Sequence, residues 1–218
     1  MTTALISLMH VLVFVYWLGG DLGAFYTSRM ISDSTRPAAA RIAAAQALTA
    51  LDMAPRTALI LTLPTGATLA AVTGQVTLSV MALTTVWALS SGWLWLAWRI
   101  HLKHLPPGSG VRRLDLGIRW VVLFALVVTG VGMVTGAVEA PLFLGLKVLI
   151  LAAAIATGLW VRQLIAPFGA AFATLVTAGQ SDDGNQIIAR ALARARPAVI
   201  LIWLLLLSAA FLGFWRPQ

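Results

Sequence analysis

The segment "LMHVLVFVYWLGGDLGAFYTSR" is apolar enough to sit in hydrocarbon, yet it carries His10 and Asp21. Ionisable side chains inside a membrane cost several kcal/mol, so they face a bundle interior and mark function by default. His10, Phe14, Trp17, Asp21 and Phe25 recur at heptad-like spacing and therefore share one helix face. A histidine followed by aromatic rings along a helix has the chemistry to ligate a porphyrin iron and wall the macrocycle. The same histidine also has the chemistry of a plain interhelical hydrogen bond to a hydroxyl or carbonyl. His10 is thus the candidate metal ligand, and His10 and Phe14 are candidate cofactor-binding residues.

Lys147, in "LFLGLKVLILAAAIATGLWVRQ", is a second ionisable group in an apolar run. Its face continues through Leu151, Ala154 and Gly158, mostly small residues that permit close approach of a helix or a flat ligand. It is read as a cationic partner for a propionate or other anion, with snorkelling to the interface as the bland alternative. Met81 and Met133 fall at a similar depth and are candidate thioether ligands opposite His10, although methionine more often fills a core. Asp21 lies about 16 Å of helix rise from His10, too far to share an ion with it. Asp21 and Arg56 are read as a proton relay or a structural ion pair. His101 and His104, spaced i,i+3 beside Arg99 and Lys103, are read as an interfacial basic patch or, with Trp93, Trp95 and Trp98, a second site.

The elements that must hold these residues follow from composition. The chain has 218 residues, 60% hydrophobic and 10% charged, against about a quarter charged in ordinary soluble domains. The excess apolar surface must face lipid, so the fold expected is an all-α integral membrane protein forming one domain over residues 1–218. A span needs about 20 apolar residues. That rule predicts about six transmembrane helices, near residues 3–27, 55–74, 77–100, 114–138, 141–165 and 197–215. Amphipathic helices are expected in the first and fifth connections, with "QSDDGNQ" as a turn followed by a helix start. Pro64 should kink the second span, with Thr62 and Thr65 available to the freed backbone groups. Gly19 with Gly23, and Gly132 with Gly136, read as close-packing pairs.

Basic residues crowd the first, third and fifth connections, whereas "VTGQVT" is uncharged and the fourth connection holds only Glu139. By the positive-inside rule those odd connections are cytoplasmic and both termini lie outside, with Arg216 the one dissenter. The net charge of +8 is accounted for in the same way, and the scattered basic residues give no support to nucleic-acid binding. The absence of cysteine excludes disulfides, thiolate metal sites and cysteine nucleophiles. No basic n-region precedes the first apolar run, so a cleaved leader is not expected. "LMHVLVF" and "GLKVLIL" begin two stretches, 1–74 and 141–215, that read as a weak parallel repeat.

The first helix, with its His, a Trp-x-Gly and an aromatic-rich run ending in Arg, resembles that of the CopD-like and HemJ-like membrane proteins. "LDMAPRTALILTLPTGATLA" and "LFLGLKVLILAAAIATGLWVRQ" are similar to later helices of that group. The resemblance covers about half the chain and includes the haem-binding protoporphyrinogen IX oxidase type. It implies a helical bundle holding haem b, with His10 as axial ligand and Trp17, Arg29 and Lys147 at functional, catalytic positions. After Arg29 the chain reads "RMISD" rather than the aromatic-His continuation of that type, and it has more spans than four. The function expected is that of a haem b membrane redox protein of the bacterial inner membrane, transferring electrons or oxidising a porphyrin or quinol. The rival readings are a cofactor-free transporter and a non-catalytic subunit, partnered by other membrane subunits or by its own copies.

Overall fold

The computed structural model describes residues 1–106 and 108–215, and every element in it is helical. Eight helices follow in order: α1 (Thr2–Ser32), α2 (Ala38–Leu51), α3 (Met53–Val72), α4 (Val80–Leu102), α5 (Gly110–Val134), α6 (Leu142–Leu164), α7 (Ala166–Ala178) and α8 (Asp182–Trp215). Five of them, α1, α4, α5, α6 and α8, are long and apolar enough to cross a membrane. The sixth expected span, α3, has 20 residues, but Arg56, two prolines and Thr57, Thr62, Thr65 and Thr68 dilute its apolar run. It is also heavily enclosed, with Ala58, Ile60, Pro64 and Thr65 all buried. Arg216 lies outside the described residues.

The six long helices close a ring. α1 packs on α3 and α8, α8 on α6, α6 on α5, α5 on α4, and α4 on α3. Helices across the ring do not approach one another as closely, so their side chains fill the middle. Trp17, Ala58, Ile60, Trp93, Ile155, Leu159 and Ile202 form that core. The outside is apolar: Val121, Phe124 and Leu204 are more than half exposed. α5 makes the point most sharply, because its two buried residues are Asp115 and Gly130 while Val121, Phe124 and Val128 point outward. In water that pattern would be inside out; in lipid it leaves the polar group in the bundle, where it has partners.

Close helix contacts come from glycines, though not all from those the pattern suggests. A Cβ on Gly20 would lie 2.6 Å from Pro55 Cδ and 2.7 Å from Ala54 Cβ, whereas one on Gly19 would meet nothing within 4 Å. Gly23 faces Leu51, so the contacting pair is Gly20 and Gly23. At the α5–α6 seam the contacts are Gly130 against Leu149 and Gly145 against Met133, rather than Gly132 and Gly136. Gly136 instead supplies the left-handed φ of 77° in the turn after α5.

A second core lies at the end of the ring where α1 finishes. Ile31 of α1, Ala44 of α2, Ala171 and Leu175 of α7, and Ile188 and Leu192 of α8 pack together. This is where the two amphipathic connections go. α8 begins within this layer and continues unbroken through Pro197 to Trp215, so the expected span beginning at 197 is the second half of one 34-residue helix. Arg41 is fully buried here, donating from Nε to the Ile31 carbonyl at 2.9 Å and from Nη1 to Asn185 Oδ1 at 2.6 Å. It ties α2 to the ends of α1 and α8, and burial pushes its guanidinium below its ordinary value.

Candidate functional site

His10 is presented by α1 to α3. Its Nδ1 is 2.9 Å from Thr65 Oγ1. The Thr65 hydroxyl has a single proton, and that proton goes to the Leu61 carbonyl at 2.6 Å. The hydroxyl therefore accepts from His10, which makes Nδ1 the protonated nitrogen of the neutral ring and leaves the Nε2 lone pair to other partners. Gly66 allows the approach, since a Cβ there would stand 3.3 Å from His10 Cε1. A ring nitrogen anchored by donation while the other presents a lone pair is the arrangement seen in metal-ligating histidines.

The threonines beside Pro64 do different work from that expected. Thr62, Thr65 and Thr68 donate to the carbonyls of Ala58, Leu61 and Pro64, not to the Ile60 carbonyl that the proline releases. Thr65 matters because it links α3 to His10, a role that Pro64 does not signal.

Lys147 of α6 lies within electrostatic reach of His10, and its Nζ would be 3.1 Å from a Cβ on Gly213 of α8. The last turn of α8 thus leaves space for the ammonium, where the helix C-terminal carbonyls favour a cation. α1 and α6 each pack on α8, which brings the two residues within electrostatic reach of each other.

The other expected site residues are not gathered there. Met81 is 79% exposed at the start of α4, which does not pack on α1, so it is turned away from His10. Met133 packs on Gly145 in the α5–α6 seam, on helices that do not pack directly on α1. Phe14, one turn past His10, packs against the ring core, and Trp17 is buried within it. Arg29 lies about 28 Å of helix rise from His10. Its guanidinium caps the rings of Phe25 and Tyr26 at 5.4 and 5.3 Å. Lys147, Trp17 and Arg29 therefore do not form one catalytic set.

Asp21 and Arg56 do not form an ion pair. Arg56 bonds Asp52, one turn earlier on the same stretch of chain. Asp21 Oδ2 is buried with no hydrogen-bond partner among the described residues. Phe25 below it packs edge-on against Trp203 of α8 at 5.1 Å. His101 and His104 stand with ring centroids 6.4 Å apart, and Trp98 meets His101 edge-on at 6.0 Å. His104 adopts a left-handed φ of 45° just past α4, a conformation that favours glycine. The other two expected tryptophan partners lie elsewhere: Trp93 is buried toward α5, and Trp95 is 61% exposed under Arg99.

One constellation escaped the sequence reading. Asp115 of α5, 4% exposed, accepts from Trp93 Nε1 at 2.9 Å and from Arg119 Nε at 3.0 Å, with Arg162 of α6 at 4.0 Å. Its signal was the Asp-x-x-x-Arg spacing of "DLGIR", an i,i+4 pair inside an otherwise apolar span. No family model matches the chain, and neither the search of curated proteins nor that of solved structures finds a match.

Proposed function

We propose that the protein is a multi-pass redox protein of the bacterial inner membrane, with α3 as a sixth span, both termini outside, and haem b bound at His10. The observation that carries this reading is the His10–Thr65 hydrogen bond, which directs the Nε2 lone pair away from α3. The donor set fits an iron porphyrin: one oriented imidazole, a glycine beside it, and a cation within reach for a propionate. His10 is then the protein ligand, Lys147 a counter-charge, and Phe14 a wall. The haem would supply one-electron chemistry, with a porphyrin or quinol as reductant. This is the role that the likeness to CopD-like and HemJ-like helices suggests, and Met81 and Met133 have no part in it.

The test is the absorption spectrum of the full chain purified from haem-replete cells. A Soret band is expected, removed in His10→Ala while thermal unfolding remains cooperative. A colourless, iron-free wild-type preparation overturns the reading. Asp21 favours a second reading, proton-linked transport without a cofactor, because its buried carboxylate oxygen has no hydrogen-bond partner among the described residues. In liposomes that reading requires a proton flux that Asp21→Asn abolishes.

A further inference from the structure

The ring's arginine-rich end carries more positive charge than its own contacts neutralise. Arg56 of α3, Arg112 and Arg119 of α5, and Arg162 of α6 all lie within electrostatic reach of Arg162 or Asp115. α3 packs directly on neither α5 nor α6, so Arg56 comes within electrostatic reach of Arg162 from across the mouth of the ring. Two carboxylates serve these four arginines. Asp115 already accepts three hydrogen bonds, one from Trp93 and two from Arg119. Asp52 pairs with Arg56, and Arg112 donates from Nε to the Leu105 carbonyl at 2.7 Å. Arg162 makes no hydrogen bond among the described residues; its nearest acid is Asp115 Oδ2 at 4.0 Å, beyond hydrogen-bonding distance.

We propose that this mouth is a binding site for a phosphate-type anion, with Arg162 and Arg56 as its principal ligands. Both side chains are close to half exposed, at 44% and 42%, and so are accessible to a ligand from the aqueous or headgroup side. Arg119 is 14% exposed, held by Asp115 and stacked 5.6 Å above the Trp93 ring. Arg119, Asp115 and Trp93 form a rigid floor, and the two freer arginines form the walls. Four guanidiniums with half their counter-charge repel one another, and an anion with several acceptor oxygens relieves that repulsion through charge-assisted bonds. The positive-inside rule explains why arginines lie at this end of the helices. It does not explain why arginines of three helices come within electrostatic reach of one another at Arg162. Basic pockets between membrane helices bind lipid headgroups by this chemistry, and a free phosphate would satisfy it equally.

The experiment uses the full chain in nanodiscs and reads thermal unfolding at constant ionic strength. One arm titrates inorganic phosphate into phosphatidylcholine discs; the other replaces part of the phosphatidylcholine with phosphatidylglycerol, without phosphate. Stabilisation in the first arm identifies a soluble phosphate, and stabilisation in the second alone identifies a headgroup. Arg162→Gln and Arg56→Gln should each weaken the apparent affinity about tenfold or more. Arg113→Gln, an exposed neighbour outside the cluster, should leave it unchanged. No stabilisation in either arm overturns the proposal, as does an equal response in the Arg56→Gln/Arg162→Gln double variant. Since both glutamines replace half-exposed side chains, the variants should fold, and their unliganded melting curves verify this.

Discussion

Thr65→Val isolates the hydrogen bond on which the His10 assignment stands. Thr65 is 1% exposed, and valine keeps its branched shape, so packing of α3 against α1 should survive. What is lost is one acceptor at 2.9 Å from Nδ1 and one proton on the Leu61 carbonyl, which keeps its backbone bond. In water-soluble proteins, orphaning a buried donor costs about 1–3 kcal/mol. Interhelical hydrogen bonds in membranes average about 0.6 and reach about 1.7 kcal/mol, because the separated helices also find partners. His10 is only partly buried, so the membrane figure governs here. For a chain of this size the loss lowers the melting temperature by about 1–7 °C. Thr65→Ser should recover most of it. Nitrogen-15 NMR of the His10 ring should show Nδ1 protonated in the wild type and a mixture of tautomers in Thr65→Val. If a ligand occupies Nε2, its affinity should fall about 10–100-fold. Unchanged stability together with an unchanged tautomer in Thr65→Val would refute the reasoning.

Other perturbations follow from the same geometry. Gly20→Ala should destabilise by about 1–3 kcal/mol, since rigid proline and alanine atoms stand within 2.7 Å of its Cβ, while Gly19→Ala should be neutral or stabilising; paired melting curves decide between them. Asp115→Asn leaves Arg119 largely buried without its counter-charge and should cost about 3–5 kcal/mol, with Trp93 fluorescence reporting the disturbance. Met81→Leu should change neither stability, beyond about 0.5 kcal/mol, nor any absorption spectrum, because the side chain points outward; a shifted spectrum would return Met81 to the ligand set. Asp33, in the turn between α1 and α2, is held below the usual aspartate range by hydrogen bonds from Thr35 and then Arg36. Its contribution is present above the ordinary aspartate value and fades as pH falls through the depressed folded one. A carbon-13 titration of Asp33 should therefore show a midpoint below that of an unstructured peptide of the same sequence, and an equal midpoint would contradict the turn.

Local pattern carried most of the architecture. The spacing of His10, Phe14, Trp17, Asp21 and Phe25 declares one face of α1, and none of the five turns out to be among its exposed residues. The aspartates and glycine of "SDDGN" mark the start of α8. Pattern went astray wherever a helix had to choose between equivalent neighbours. Gly19 and Gly20 look alike in sequence, and only the angle at which α1 meets the α2–α3 junction makes Gly20 the contact. Pro197 reads as the start of a span, yet α8 runs through it, anchored by the second core on one side and the ring on the other.

The sites divide in the same way. That groups such as His10 and Asp21 tend to face the interior follows from the cost of a polar group in hydrocarbon, and the sequence by itself indicates it. Their partners are a different matter. Arg56 takes Asp52 because a partner one turn away on the same chain is always within reach, and so it is withheld from Asp21. His10 meets Thr65, 55 residues away, only because α3 follows α1 around the ring. Asp115 meets Trp93 and Arg162 because α5 sits between α4 and α6. Helix formation and burial are governed by interactions within a few turns, which composition and spacing record. The order and rotation of helices around the ring depend on the packing of all six together, and no local stretch encodes that sum.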